Sequence, residues 1–565
     1  MKRLSLYLIL GILSLVLAAC GKDERNKVIP SGGGENGGGN SGSDDFVAVT
    51  AAPKAFDGNK QADITYQLLV YSFADSDGDG WGDIKGITQH LDYLDAMGAS
   101  AIWLSPIHPS DSYHGYDVQD YSAVHPKLGT EADLQELITK AHEKNIKIYL
   151  DYVLNHSGTG NAWFKSATSS ASSEYRDYYV ISTSPQADIA AGRIPSLSTY
   201  NANKWYSTSG GAWYYGAFWG GMPDLNYGEL ASLETNPTFN ALTSSAKKWI
   251  DMGIDGLRLD AVLYIYEKNA PTSNATFLKK WYDRCNAYYK AAGGKGDIYM
   301  VGEAWTGTDV MAKYYKGLPA LFDFEYWDRL SWALNAGIGR YLTKDVLNIR
   351  SICRAQRSDF IEATKLTNHD QTRAATTLGR SLNKEKLAAC VLLTSPGSPY
   401  VYQGEELGYW GKIGAEGGAD EQVRTPIKWT RTGSIPSSWT SASNIDKSML
   451  SESISVEAQK ADKLSLLNVY KTFAQLRNSY PALASGEMSA HGKYNDSNAS
   501  EESIACWYMT SGSEKMLVVH NFGSSSKTLD FSSDKLDKAV ALNGSAEVKG
   551  GSLRLGAYSS VVFLQ

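Results

Sequence analysis

From residue 64 onward the chain repeats one pattern: a short, β-rich apolar run that ends in polar or charged residues. Ile64–Phe73 runs into Ala74-Asp75, Ala101–Leu104 into Ser105-Pro106, Ile146–Leu154 into Asn155-His156, and Gly256–Leu259 into Asp260. Ile298–Gly302 reaches Glu303, and Leu321-Phe322 reaches Asp323-Phe324. Ala363–Thr367 reaches Asn368-His369-Asp370, and Tyr400–Tyr402 reaches Gln403-Gly404-Glu405. Helical stretches such as Glu131–Asn145, Thr243–Gly253 and Lys384–Leu393 separate most of these eight runs. Alternation of strand and helix implies parallel βαβ units. Eight of them predict an α/β fold of the (β/α)8 TIM-barrel type; the competing arrangement is a doubly wound open sheet. In such a barrel the strand C-termini converge on one face, so polar residues there read as chemistry.

Two regions break the pattern. Residues 158–228 form a long excursion after the third strand, rich in Ser, Gly and aromatics: Tyr200, Trp205, Tyr206, Trp213, Tyr214, Tyr215, Phe218 and Trp219. A connection this long is a subdomain or a functional loop. After about 485 short strands with turn signals take over: Ser503–Met509, Met516–Asn521, Ala539–Leu542 and Ser559–Leu564. The expected division is a barrel over 61–157 and 229–482, a B domain over 158–228, and a C-terminal antiparallel β-sandwich over 483–565.

The N-terminus reads as an address. Met1-Lys2-Arg3 precedes a mostly apolar run ending in Leu17-Ala18-Ala19-Cys20. The run is too short to span a membrane as a helix and has the form of a signal peptide. Its last four residues resemble a bacterial lipobox, so residues 1–20 are expected to be a lipoprotein signal with Cys20 lipidated; an ordinary cleaved signal is the alternative. Gly21-Lys22-Asp23-Glu24 resembles the short acidic signal that sends lipoproteins to the outer face of the outer membrane. Residues 21–60, Gly/Ser-rich over 31–42, are expected to be a flexible tether, reaching about 35 Å.

The 565 residues carry 54 basic and 61 acidic side chains, a net charge of −7, which argues against a nucleic-acid partner. No two of the five cysteines form a Cys-x-x-Cys pair, so a zinc or redox motif is not expected. Cys285, Cys353, Cys390 and Cys506 are widely scattered and read as buried free thiols.

Three acids stand at strand ends: Asp260, Glu303 and Asp370. Cleavage of a glycosidic bond needs two carboxyls, one ionised and one protonated. Arg258, two residues before Asp260 and on the same side of the strand, would keep that carboxylate ionised. The apolar Ala304-Trp305 beside Glu303 would raise its pKa. Asp75, Asp77, Asp79 and Asp83 crowd a Gly-rich loop after the first strand. Hard oxygens at this density suit Ca2+. The twelfth position of the loop is Gly86 rather than Glu, so it is not an EF-hand; a capped acidic turn without metal is the alternative.

Taken together, these residues resemble glycoside hydrolase family 13, the α-amylase family, over roughly residues 60–565. The carrying motifs are Asp151-Tyr-Val-Leu-Asn155-His156, Met222-Pro-Asp-Leu-Asn226, Gly256-Leu-Arg258-Leu-Asp260-Ala261, Gly302-Glu303-Ala304-Trp305 and Thr367-Asn368-His369-Asp370, in the family's order. The resemblance implies Asp260 as nucleophile, Glu303 as acid/base and Asp370 as transition-state stabiliser. It implies His114, Tyr116, His156, Arg258 and His369 around the cleaved sugar. A double displacement with retention would follow, with carboxyls about 5–5.5 Å apart. The resemblance also implies calcium on the Asp75–Asp83 loop, with the Trp81 backbone carbonyl as a further ligand, and a weaker second calcium site at Asn155 and Asp224.

The expected activity is endo-hydrolysis of α-1,4 bonds in starch-like glucans, because Ala261 after the nucleophile is like α-1,4-acting members. An oligo-α-1,6-glucosidase or neopullulanase-like hydrolase is the alternative, and a non-catalytic glucan-binding lipoprotein a remote one. Leu263 and Tyr264 replace the Lys-His of typical α-amylases, which puts the product pattern in doubt. The aromatics at 200–219, with Tyr409 and Trp410, could stack on glucan or merely pack. The lipid anchor and tether fit a surface enzyme, with other surface glucan-binding proteins as candidate partners.

Overall fold

The eight polar-ended runs do close on one another. The computed structural model describes residues 45–198, 201–414, 420–441, 444–496 and 501–565. Its strands β1 (Thr65–Leu68), β2 (Ala101–Leu104), β3 (Lys147–Val153) and β4 (Gly256–Asp260) continue into β5 (Tyr299–Gly302), β6 (Ala320–Asp323), β7 (Ile361–Lys365) and β8 (Ser398–Tyr402). All neighbours are parallel, and β8 pairs with β1 to close the barrel. The open-sheet alternative is excluded by that pairing.

Alternation along each strand sorts the side chains. In β4, Leu257 and Leu259 pack outward into the large core under the helices. Trp103, Tyr149, Val301, Phe322, Ala363 and Tyr400 fill the barrel interior. The first run is only half strand: Val70–Phe73 is a helical turn instead. Both neighbouring ladders stop at Gln67 and Leu68, so β-rich residues beyond have no partner strand. Leu69 N–H turns to the Gln403 side chain and Val70 N–H to Ser105 Oγ.

Local signals start and stop the helices. The helix α1 (Glu131–Glu143) opens with a reciprocal capping box between Thr130 and Asp133. The helix α2 (Pro237–Met252) takes Asn236 as N-cap, Pro237 in its first turn and Gly253, at φ 112°, as its left-handed stop. Both place the polar strand ends by fixing where the next strand begins.

Within 158–228 three short antiparallel strands, Ile181–Ser182, Trp213–Tyr215 and Trp205–Ser207, surround a small core of Val180, Ile194, Leu197 and Trp205. The C-terminal region forms two antiparallel sheets. Ile504, Cys506, Leu517, Val519, Val561 and Phe563 face Leu529, Leu553 and Leu555 of the other sheet. The alternate residues Trp507, Met509, Met516, Val518 and Val562 join the main core. Four strands of this sandwich were not read from sequence: Glu487–Ala490, Lys527–Asp530, Ala546–Lys549 and Ser552–Leu555. Each is four residues long and polar at every second position or more, too weak a pattern to stand out.

The described end of the segment expected as a tether is paired with the C-terminal sheets. Val47–Ala48 pairs antiparallel with Val548 and Glu547, and Ala52 N–H donates to the Ala539 carbonyl. Residues from Val47 onward are therefore stitched to the sandwich by ladder bonds that composition does not reveal. The signal peptide, Cys20, the Gly/Ser-rich stretch and Tyr200 lie outside the described residues. Cys285, Cys353, Cys390 and Cys506 are buried and free. No helix among the described residues is long and apolar enough to cross a membrane.

Candidate active site

At the C-terminal face of the barrel one guanidinium organises the acids. Arg258, fully buried, donates through Nη1 to Asp151 Oδ1 at 2.8 Å and Asp260 Oδ1 at 2.7 Å. Its Nη2 lies 2.9 Å from Glu303 Oε2. A planar fork with several donors can serve three carboxylates at once, which an ammonium cannot. Asp260 and Glu303 are thereby held against the same cation in the lining of a cleft of about 620 Å³.

The fork is shared, and this sets the carboxyl pKa values. Burial raises Asp260, and Arg258 pulls it back only to about 6. Burial also raises Glu303, with Arg258 opposing and the Asp260 and Asp370 charges adding, to about 7. Of the apolar neighbours expected to raise Glu303, Ala304 is buried, whereas the Trp305 ring is 49% exposed and stacked on Phe324; burial is the largest cause of the rise. For Asp370 burial alone would raise the pKa, but His369 and Arg424 outweigh it and the net shift is downward.

Residue Ala261, immediately after Asp260, sits at φ 50°, the left-handed region. A non-glycine residue there stores strain. The turn aims the Ala261 N–H at Glu303 Oε2, 3.3 Å away.

A hydrogen-bond chain crosses the floor. Gln67 Nε2 donates to His369 Nδ1 at 2.8 Å, which leaves the proton of this ring on Nε2. That nitrogen meets Tyr116 Oη at 2.7 Å and Asp370 Oδ2 at 3.1 Å, and Tyr116 Oη donates to Asp151 Oδ2 at 2.8 Å. Burial drives the His369 pKa down to about 3, so it works as a neutral donor. The Tyr116 ring lies parallel to His369. Its loop turns at Gly115, φ 83°, where a Cβ would press on Pro106 at 3.0 Å. His114 and His156 also line the cleft. The His156 Nε2 is buried without a partner.

All eight expected catalytic and sugar-contacting residues thus converge. Three further contributors were not singled out: Asp151, Gln67 and Arg424. Arg424 donates to Asp370 Oδ1 at 2.8 Å, the His369 carbonyl at 3.1 Å and Tyr113 Oη at 3.0 Å. Asp151 opened a motif already quoted, and its place two residues after Tyr149, whose ring fills the barrel interior, was the available signal; Arg424 sits in irregular chain and left none. Of the aromatics, Phe218 and Trp219 reach the cleft, as do Lys268 and Tyr264, whose ring lies 5.0 Å from that of Phe218. Trp205, Tyr409 and Trp410 are buried packing residues.

On the first loop Asp75, Asp77 and Asp83 bring carboxylate oxygens within 4.8 Å of one another. Asp79 turns away: its Oδ2 pairs with Lys127 Nζ at 2.7 Å. Asn155 Nδ2 and Asp224 Oδ1 meet at 3.3 Å, with Asp224 buried.

This constellation can be compared with known proteins. Residues 67–486 match the family "alpha amylase, catalytic domain", and residues 504–562 match the "alpha-amylase SusG C-terminal domain". The chain belongs to the α-amylase family. It is 40% identical to Alpha-amylase SusG of Bacteroides thetaiotaomicron, over 92% of this chain and 93% of that protein. It is 37% identical to Alpha-amylase 3 of Dictyoglomus thermophilum, over 88% and 92%. Among solved structures, Eubacterium rectale Amy13B superposes with a TM-score of 0.78 at 28% identity, covering 91% of this chain and 97% of that one.

Proposed function

We propose that this α-amylase-family member is a retaining endo-hydrolase that cleaves α-1,4 bonds of starch-like glucans. The observation that carries this reading is the single Arg258 fork between Asp260 and Glu303, two acids that line the cleft. Asp260 is the nucleophile. Its carboxylate is the more acidic of the pair, near 6 against 7, so between those values Asp260 is ionised while Glu303 keeps its proton. Glu303 protonates the departing glycosidic oxygen as Asp260 attacks the anomeric carbon. The resulting carboxylate then takes a proton from water, which attacks the same carbon and releases Asp260. Two inversions give net retention. Asp370, kept ionised by Arg424 and His369, accepts sugar hydroxyls and stabilises the distorted ring. Tyr116 stacks on the cleaved sugar, His114 and His156 donate to its hydroxyls as neutral imidazoles, and His369, whose ring nitrogens face Gln67, Tyr116 and Asp370, orients those groups around the sugar.

The carboxylates of Asp75, Asp77 and Asp83, three hard oxygen donors on one loop, fit a calcium ion, with the Trp81 carbonyl as a further ligand. Bound there, the ion would neutralise the crowded acids and fix the loop that leads out of β1. Asp79 is left out of the set because of Lys127. Asn155 and Asp224 are the proposed start of a second site. The N-terminal lipobox at Cys20 and the stretch to about residue 45 would hold the enzyme at the outer face of the outer membrane.

The test is to incubate the chain from Gly21 onward, with calcium, on amylose, pullulan and isomaltose, beside an Asp260→Asn variant. Early mixed maltooligosaccharides of α configuration from amylose, absent in the variant, are expected. Glucose released from isomaltose with amylose untouched would move the enzyme to the α-1,6 reading. No turnover of any glucan would leave a binding protein.

A further inference from the structure

One buried cation has no part in the chemistry above. Lys365 ends β7, two residues after Ala363, which fills the barrel interior, so its side chain also points inward. It has no exposure. Among the described residues its ammonium pairs with no carboxylate; Nζ donates to Gln371 Oε1, a neutral acceptor, and lies 3.8 Å from the centre of the Phe324 ring.

Both contacts lead to the catalytic cleft. Gln371 directly follows Asp370. The Phe324 ring stacks on Trp305, 4.8 Å away and inclined by 8°, and Trp305 lines the cleft with Glu303. Ammonium, Phe324 and Trp305 thus form one column from the barrel interior to the cleft wall.

Packing does not call for a lysine here. An ammonium buried without a carboxylate partner destabilises a fold, and methionine offers a similar unbranched stem without the charge. Burial lowers the Lys365 pKa to about 7, and Glu303 weighs most among the charges that oppose the fall, ahead of Asp323, Glu405 and Asp328. Burial holds Asp323 well above the ordinary carboxyl range and Glu405 near 8, so both are protonated at neutral pH. Asp328 is exposed on the helix Phe324–Ala336. Glu303 is the carboxyl of this set that loses and regains a proton in each turnover.

We propose that Lys365 is a positioning residue of the cleavage reaction: its ammonium joins the turn that carries Asp370 to the Phe324–Trp305 wall, and stabilises the Glu303 carboxylate left when the leaving group takes its proton. This rests on the hydrolase reading above. Arg258 holds that carboxylate from β4, and Lys365 adds a second positive charge from β7.

The experiment uses the chain from Gly21, which keeps the whole compact unit Asp44–Gln565, with the variants Lys365→Met and Lys365→Arg. Thermal unfolding, and kcat and KM on a maltooligosaccharide against pH, are measured for each. The Glu303 carboxyl is titrated by carbon NMR, with Glu303→Gln assigning its signal. Lys365→Met should unfold at or above the parent's temperature, while kcat falls about tenfold or more and KM moves far less. Its Glu303 titration and alkaline limb should both move upward, by about half a pH unit or more. Lys365→Arg, which keeps the charge, should titrate at Glu303 like the parent. Parent-like kcat with an unmoved Glu303 titration in Lys365→Met overturns the proposal. An activity loss that tracks a lower unfolding temperature also overturns it, because the lysine would then serve the fold alone. If the parent hydrolyses no glucan, the hydrolase reading falls by itself; an upward Glu303 shift in Lys365→Met still supports the link between the two residues, and no shift overturns it.

Discussion

Arg258 reaches Asp260 at 2.7 Å from two positions earlier in the same strand. The period of two in a β-strand puts both side chains into the barrel, so the pairing follows from the sequence spacing alone. The spacing does not disclose that the same nitrogen also holds Asp151 at 2.8 Å.

That sharing makes Arg258 a structural and catalytic keystone. Arg258→Ala would leave Asp151, which has no exposure, as an unpaired buried charge. Breaking a buried pair in this way costs about 3–5 kcal/mol. Arg258→Lys keeps one positive charge but cannot bridge three carboxylates. The expectation is a large stability loss in the Ala variant and, in the Lys variant, a milder one with kcat/KM still down about 10²-fold or more. Denaturant unfolding alongside steady-state rates checks both. Parent-like kcat/KM in the Lys variant would show that the fork geometry is dispensable.

The pH profile follows from the two raised carboxyls. Activity needs Asp260 ionised and Glu303 protonated, so kcat/KM should fall below about 6 and above about 7, as a narrow bell whose limbs belong to the coupled pair. The stability consequence has a definite sign. Between the ordinary carboxyl range and about 7 the folded Glu303 binds more protons than the unfolded one, so stability declines as pH rises through that window. Glu303→Gln should abolish the alkaline limb's cause, retain activity only on substrates whose leaving group needs no proton, and lose less stability between pH 5 and about 8. An unchanged alkaline limb in that variant would assign the limb to another group.

How much of this was legible depends on where each residue stands. Asp260 ends β4, Glu303 follows β5 directly and Asp370 lies on the turn just beyond β7, so a repeating pattern exposes them. Val47 joins the sandwich through backbone ladder bonds to Val548 and Glu547, which no side-chain pattern encodes. Asp79 has the same chemistry as Asp75 and Asp77, yet Lys127, 48 residues away in sequence, takes its carboxylate. Arg424 reaches Asp370 across 54 residues of chain. Local pattern reports the element and its end; long-range electrostatic partners appear only once the barrel has closed.

Arg424 therefore offers a separate test. It is buried, and its removal takes from Asp370 one of the three groups, His369, Arg424 and Arg258, that offset burial. Arg424→Ala should raise the Asp370 pKa and cut kcat/KM about 10²-fold or more, while the acid limb stays near 6, where Asp260 sets it. Arg424→Lys should keep the Asp370 pKa near the parent's while losing the bonds to the His369 carbonyl and Tyr113, with a fall of about tenfold. Titration of the Asp370 carboxyl in the three proteins separates charge from geometry. An identical Asp370 pKa in all three would mean that Arg424 does not hold Asp370 ionised.

The calcium reading makes a contrast inside one loop. Asp77 belongs to the cluster of converging carboxylates, whereas Asp79 is paired with Lys127. Ligand that binds only the folded state adds about 2.7 kcal/mol at a hundredfold excess over its dissociation constant. Chelation should therefore lower the unfolding temperature of the parent by a few degrees, and added calcium should restore it. Asp77→Asn should remove most of this response. Asp79→Asn should keep it and lose only an exposed ion pair, a cost of about 0–1 kcal/mol. Scans of the three proteins with chelator and with calcium decide the matter. A parent indifferent to chelator would mean that the turn is held by its own hydrogen bonds, such as Gly78 N–H to Asp75 at 2.7 Å, and not by an ion.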